Sequence, residues 1–196
     1  MSVDLAGSQT AQNLMRAFAG ESQARNRYTV SAEVARGQGL YVIEQVFLFT
    51  AKQELAHAKL FYRHLQPLSG QTITVDGTYP VDLRADSAGL LRAAQHNEYQ
   101  EWEHDYRHFA QVAREEGFDE IAHHFGTIAD IEKTHGDRFG RFADLLESGQ
   151  LFSSEDRVRW VCLNCGHVVE AKLPQANCEV CKCPQGYFVR ADMSLF

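Results

Sequence analysis

The chain repeats itself. Ala35-Arg36-Gly37-Gln38-Gly39-Leu40-Tyr41-Val42-Ile43 returns 78 residues later as Ala113-Arg114-Glu115-Glu116-Gly117-Phe118-Asp119-Glu120-Ile121. Around each copy, apolar residues recur at helical spacing: Leu14, Phe18, Val30 and Val34 before the first, and Val42, Val46, Phe49 and Leu60 after it. Glycines break each run, so each copy predicts two long helices joined by a tight turn, about 11–36 with 41–65 and 87–116 with 118–147. Prolines obey the same division. Among the first 150 residues only Pro67 and Pro80 occur, both in the stretch 67–86, where Thr72-Ile73-Thr74-Val75 alternates before Asp76-Gly77.

A stretch of about 20 residues reaches roughly 65 Å when extended, enough to run the ~40 Å length of one helix. The expected architecture is therefore mainly α: a ferritin-like four-helix bundle over 1–150 with one long crossover at 67–86. A second unit is expected over 157–196, where all five cysteines lie.

The repeat also aligns chemistry. Glu54-Leu55-Ala56-His57 matches Glu132-Lys133-Thr134-His135 at the same offset of 78, and Glu21 matches Glu98 at an offset of 77. Residues i and i+3 share a helix face, so each Glu-x-x-His presents a carboxylate and an imidazole together. One glutamate from each of two helices plus Glu-x-x-His from each of the others is the donor set of di-iron and di-manganese carboxylate bundles, with two carboxylates shared and two Glu/His pairs terminal. Glu101, three residues after Glu98, stands where the first copy has Ala24 and makes the two metal positions inequivalent. Tyr28, two turns beyond Glu21, suits either a core aromatic or a hydroxyl aimed at the site. His64, His96, His104, His108, His123 and His124 sit in charged contexts and are expected on solvated faces.

In the tail, Cys162-x-x-Cys165 and Cys178-x-x-Cys181 form two hairpins able to turn four thiolates toward one ion. Spacing leaves zinc and iron open. Zinc would make a structural or partner-binding ribbon, iron a one-electron carrier. Cys183 reads as a spare thiol. A net charge of −7 argues against nucleic acid and anionic membranes as partners. No apolar run approaches a membrane span, no signal peptide is visible, and metal-type cysteine usage fits a reducing compartment, so a cytoplasmic location is expected.

Taken in order, Gly20-Glu21-Ser22-Gln23-Ala24-Arg25-Asn26-Arg27-Tyr28, Glu54-x-x-His57, Glu98-x-x-Glu101, Glu132-x-x-His135 and the two Cys-x-x-Cys hairpins resemble the rubrerythrins over nearly the whole chain. The resemblance implies two irons held by Glu21, Glu54, His57, Glu98, Glu101, Glu132 and His135, and one iron in a rubredoxin-like set of Cys162, Cys165, Cys178 and Cys181. It implies reduction of hydrogen peroxide to water in oxidative-stress defence, with electrons from NAD(P)H through a separate reductase or rubredoxin. It further implies that Glu101 and His57 alternate on one iron, that Tyr28 and Tyr106 are the catalytic tyrosines, and that the chain forms a head-to-tail homodimer. Lys182, in place of a usual glycine, Cys183, and Arg107, where a proline often follows the site tyrosine, depart from the family pattern. The competing expectation is a ferritin-like iron oxidation or storage protein whose tail is a zinc ribbon.

Overall fold

The computed structural model describes residues 4–193; the outermost three residues at each end of the expected units, 1–3 and 194–196, lie outside the described residues. Helix α1 spans Gln9–Gly37 and α2 spans Tyr41–His64. Ser8 opens α1 by accepting a hydrogen bond from the Ala11 amide at 3.0 Å. Between the two helices Gly39 has φ 71°, and its counterpart Gly117 has φ 88°, left-handed values that glycine adopts without a Cβ penalty. Both turns close the same way, Leu40 N on Ala35 O and Phe118 N on Ala113 O.

The crossover leaves α2 through a short 3-10 turn at Gln66–Leu68 and then has no regular structure until Asp86 caps α3 (Ser87–Gln100) with its carboxylate on the Gly89 amide at 2.6 Å. The alternation at 72–75 builds no strand. The segment is pinned instead by side chains, Arg16 to Asp76 at 2.7 Å and Arg27 to Asp82 at 3.0 Å.

One long helix was expected over 87–116, and the structure interrupts it. After α3 the chain makes a π turn at Glu101–Asp105 before α4 (Tyr106–Glu115), and α5 (Asp119–Glu147) completes the bundle. The cause is visible in the repeat: Glu98 lies 77 residues after Glu21, but Tyr106 lies 78 after Tyr28. One extra residue therefore falls between Glu98 and Tyr106, and a wider turn absorbs it without rotating α4 off register. Helices α3 and α5 approach closely because Gly136 and Gly140 face Tyr99 and Gln95; a Cβ on either glycine would come within 2.5 Å or less of those side chains.

The bundle core falls into two apolar clusters. One gathers Tyr28, Ile43, Phe47, Leu91 and Phe139; the other gathers Leu14, Phe61, Tyr106, Ile121 and Phe125. Between them lies a layer of buried carboxylates and imidazoles.

The tail forms a three-stranded antiparallel sheet of β1 (Val158–Cys162), β2 (Val168–Ala171) and β3 (Phe188–Arg190), with β1 in the centre. Trp160, Phe188, Cys162 and Cys178 fill its small core. It docks on the α1–α2 turn: Tyr187 stacks on Tyr41 with ring centroids 4.0 Å apart, and Val189 and Met193 join the first bundle cluster. Gly186 permits the approach, since a Cβ there would stand 1.8 Å from the Gly39 carbonyl oxygen. Among the described residues no helix is long and apolar enough to cross a membrane.

Candidate metal centres

The six repeat-related ligand candidates meet in the polar layer, each no more than 8% exposed. Glu54 places one oxygen 3.1 Å from His57 Nδ1 and the other 3.0 Å from His135 Nδ1. Glu132 does the same, at 3.1 Å and 2.7 Å. Glu21 approaches only His57, at 3.7 Å, and Glu98 only His135, at 3.6 Å. Two donor sets result, Glu21/Glu54/His57/Glu132 and Glu54/Glu98/Glu132/His135, each with its atoms within 4.8 Å of one another. The shared carboxylates are thus the glutamates of the two Glu-x-x-His motifs, and the terminal pairs combine different helices.

Such a layer is costly without cations. Both oxygens of Glu54 and of Glu132, Glu21 Oε2, His57 Nδ1 and both ring nitrogens of His135 are buried without an aligned hydrogen-bond partner. Four carboxylate charges against two divalent ions balance with both imidazoles neutral, so the donor set fits a pair of hard divalent metals. Without metal the layer redistributes protons. Burial, reinforced by Glu132, pushes Glu21 well up, and burial with Glu54 lifts Glu98 to about 8. Against burial, the charge of Glu54 and the close approach of Glu132 raise His135 to about 12; His135 and His57 in turn hold Glu132 down at about 2.

Both tyrosines attach to terminal glutamates. Tyr106 donates to Glu21 Oε1 at 2.6 Å, and Tyr28 donates to Glu98 Oε1. Burial, then the adjacent carboxylate, raises both phenols well above their usual value, so each stays a donor. Tyr28 therefore satisfies both expectations, packing on Phe47 and Phe139 while its hydroxyl serves the site.

Glu101 is outside both four-residue sets. It lies in the π turn and lines a cavity of about 540 Å³ with Arg16, Gln23, Tyr79, Asn97 and Tyr106, between α1, α3 and the crossover. Burial and then Glu21 raise its carboxyl well above the usual range, which puts it within electrostatic reach of the terminal glutamate on the His57 side.

In the tail, Cys162, Cys165, Cys178 and Cys181 form a third donor set, with Sγ pairs 162/181 and 165/178 both 3.7 Å apart. The two hairpins are built alike: the Gly166 amide bonds Cys162 O at 2.8 Å and the Lys182 amide bonds Cys178 O at 2.9 Å. Lys182 takes the left-handed φ of 65° that Gly166 takes at 75°, a conformation that costs a side-chain-bearing residue roughly 1–2 kcal/mol. The Asn164 side chain and the Cys183 backbone hold Cys181 down at about 6, a thiol primed for metal. Cys183 belongs to no donor set; its carbonyl accepts from the Cys178 amide.

Of the outlying histidines, His96, His104, His108 and His123 are exposed as expected. His64 and His124 are not: both are half-buried and face each other across α2 and α5.

The rubrerythrin family model matches residues 12–143, the span that contains every bundle ligand. The chain belongs to the rubrerythrin family. It is 42% identical over 185 residues to the rubrerythrin of Clostridium perfringens, covering 94% of this chain and 95% of that one. It is 39% identical over 184 residues to the rubrerythrin of Nitratidesulfovibrio vulgaris, covering 94% and 95%. A solved structure of nigerythrin in a mixed-valence state superposes with a TM-score of 0.64 at 27% identity, over 97% of this chain and 88% of its own. The carboxylate/imidazole layer accordingly carries the di-iron site residues of the rubrerythrin family, and the four cysteines form a rubredoxin-like cluster; both are consistent with iron binding.

Proposed function

We propose that this rubrerythrin-family protein is a non-haem di-iron peroxidase that reduces hydrogen peroxide to water, with electrons entering through the four-cysteine centre from an NAD(P)H-linked reductase or a rubredoxin. The observation that supports this best is one chain holding a paired carboxylate/imidazole site, with a cavity against it, and a separate four-thiolate site. Rubrerythrins match over 94% of this chain, and a nigerythrin structure at a TM-score of 0.62 is described as all-ferrous. Iron, when bound, supplies one electron from each ion of the bundle pair and a one-electron relay at the cysteines.

The chain's own groups do the rest. Glu54 and Glu132 hold the two positions at fixed separation, and Glu21 and Glu98 are oriented by the Tyr106 and Tyr28 hydroxyls. The two apolar clusters exclude water above and below the layer. The cavity beside Glu101 and Tyr106 gives a small polar oxidant its approach, and Tyr106 Oη holds a proton at that wall. Converting peroxide to two waters consumes two electrons and two protons, so a donor beside the entry face is required. Glu101, which lines this cavity and feels the charge of Glu21, is the group that this reading has exchange with His57 when the charge at that site changes.

The head-to-tail dimer belongs to this reading. The tail sits on Tyr41, thirteen residues from Glu54 along α2 and so about 20 Å away along the helix axis. A partner's tail laid beside the bundle layer shortens that path.

The test is anaerobic. Iron-loaded, chemically reduced protein should be re-oxidised by added peroxide with stoichiometric consumption, and Cys162→Ser should cut steady-state turnover several-fold while leaving bundle iron in place. Zinc as the native tail metal, with bundle irons indifferent to peroxide, would defeat the peroxidase reading in favour of iron oxidation or storage.

A further inference from the structure

At the bundle end away from the tail, two histidines from different helices converge. His64 ends α2, His124 lies in the second turn of α5, and His64 Nε2 stands 2.8 Å from His124 Nδ1 with ring centroids 5.0 Å apart. Glu120 precedes His124 by four residues on α5, where its exposed carboxylate acts on His64 through its charge and reaches the pair by a side-chain swing. None of the three belongs to either bundle donor set.

We propose that His64, His124 and Glu120 bind a divalent transition cation of the zinc type at a site distinct from the di-iron centre. Two imidazole nitrogens bonded to one tetrahedral ion at about 2.0–2.1 Å stand about 3.3 Å apart, so the hydrogen-bonded pair at 2.8 Å has to open by roughly 0.5 Å to admit it. The ring that donates in this N–H···N contact shifts its proton to its other nitrogen, and the two lone pairs then face a common ion. Two imidazoles and one carboxylate form a donor set that borderline cations favour. The imidazoles must be neutral to bind, and burial followed by the neighbouring His124 lowers the pKa of His64, outweighing the opposing pull of Glu120; the Arg63 charge acts in the same lowering direction.

Glu120 and the adjacent His123 are exposed, so water reaches the remaining coordination positions. His64 lies seven residues beyond His57 along α2, about 10 Å. Fully buried Phe61 intervenes, its ring centroid 4.9 Å from Phe125 and 5.5 Å from Tyr106. That aromatic layer separates the two sites.

The experiment uses protein with both iron centres filled, titrated with Zn²⁺ by calorimetry, followed by analysis of released iron and zinc-edge X-ray absorption. About one zinc per chain is expected, with Kd on the order of micromolar, no iron release, and a nitrogen/oxygen shell containing imidazole and no sulfur. His64→Gln and His124→Gln should each weaken binding about tenfold or more, and Glu120→Gln severalfold. Sulfur in the zinc shell, iron release, absence of saturable uptake, or uptake unchanged in both histidine variants would overturn the assignment; the absorption spectrum of the wild type decides even if a variant fails to fold.

Discussion

At the scale of single residues, the site is organised by what each glutamate touches besides a metal. Tyr106 and Tyr28 give the terminal carboxylates a second anchor, whereas Glu54 and Glu132 have no aligned hydrogen-bond donor and depend on cations. Tyr106→Phe keeps the ring packed on Phe61 and removes only the donor to Glu21. It should cost the metal-free protein about 1–2 kcal/mol in denaturant titrations, because a buried acceptor loses its partner, and it should slow peroxide consumption. Equal denaturation midpoints and equal rates would show that the hydroxyl is idle. The six residues of the layer were legible in the sequence, because the repeat carries Glu and His in register and the helices bring them together. Which carboxylates are shared was not, since both oxygens of Glu54 and Glu132 acquire their partners only when α2 and α5 pack against each other.

At the scale of elements, helix ends and interruptions decide more than helix interiors. The periodicity located all four long helices to within a few residues, but the π turn escaped it; its trace was the one-residue difference between the offsets 77 and 78. The cap on α1 escaped too. Glu116, in the α4–α5 turn, accepts from the Gln9 and Thr10 amides at 3.0 and 2.8 Å and from the Thr10 hydroxyl, an association of residues more than one hundred positions apart that no local pattern announces. Those hydrogen bonds outweigh burial and hold its carboxyl below the usual value. A depressed folded pKa contributes stability above the unfolded value, about 4.3, and loses it as pH falls through the lower folded value. Glu116→Ala should therefore cost about 1 kcal/mol near pH 7, with the gap to the parent protein narrowing below about pH 4. A gap of constant size across that range would show that the carboxylate charge plays no part.

At the scale of the whole molecule, the tail and the bundle are joined by contacts that the sequence could not display. Cysteine spacing marked the tail as a metal module, and the structure adds a seat for it, where Tyr187 meets Tyr41 and Gly186 meets the Gly39 carbonyl. Gly186→Ala places a methyl group where no space exists, against backbone that cannot yield cheaply. Tail and bundle should then melt in separate steps and the 150–157 linker should become sensitive to protease, while both sets of ligands keep their iron. A single melting transition at the parent temperature would mean that the seat is unimportant.

The residue inserted between Glu98 and Tyr106 reaches furthest. A perfectly duplicated hairpin pair would show the same face twice, and a small reactant would meet it alike from either side. By widening one turn, that insertion sets Glu101 and an open cavity beside Tyr106, where the other copy has Ala24 and no such turn. The molecule thereby acquires a front and a back.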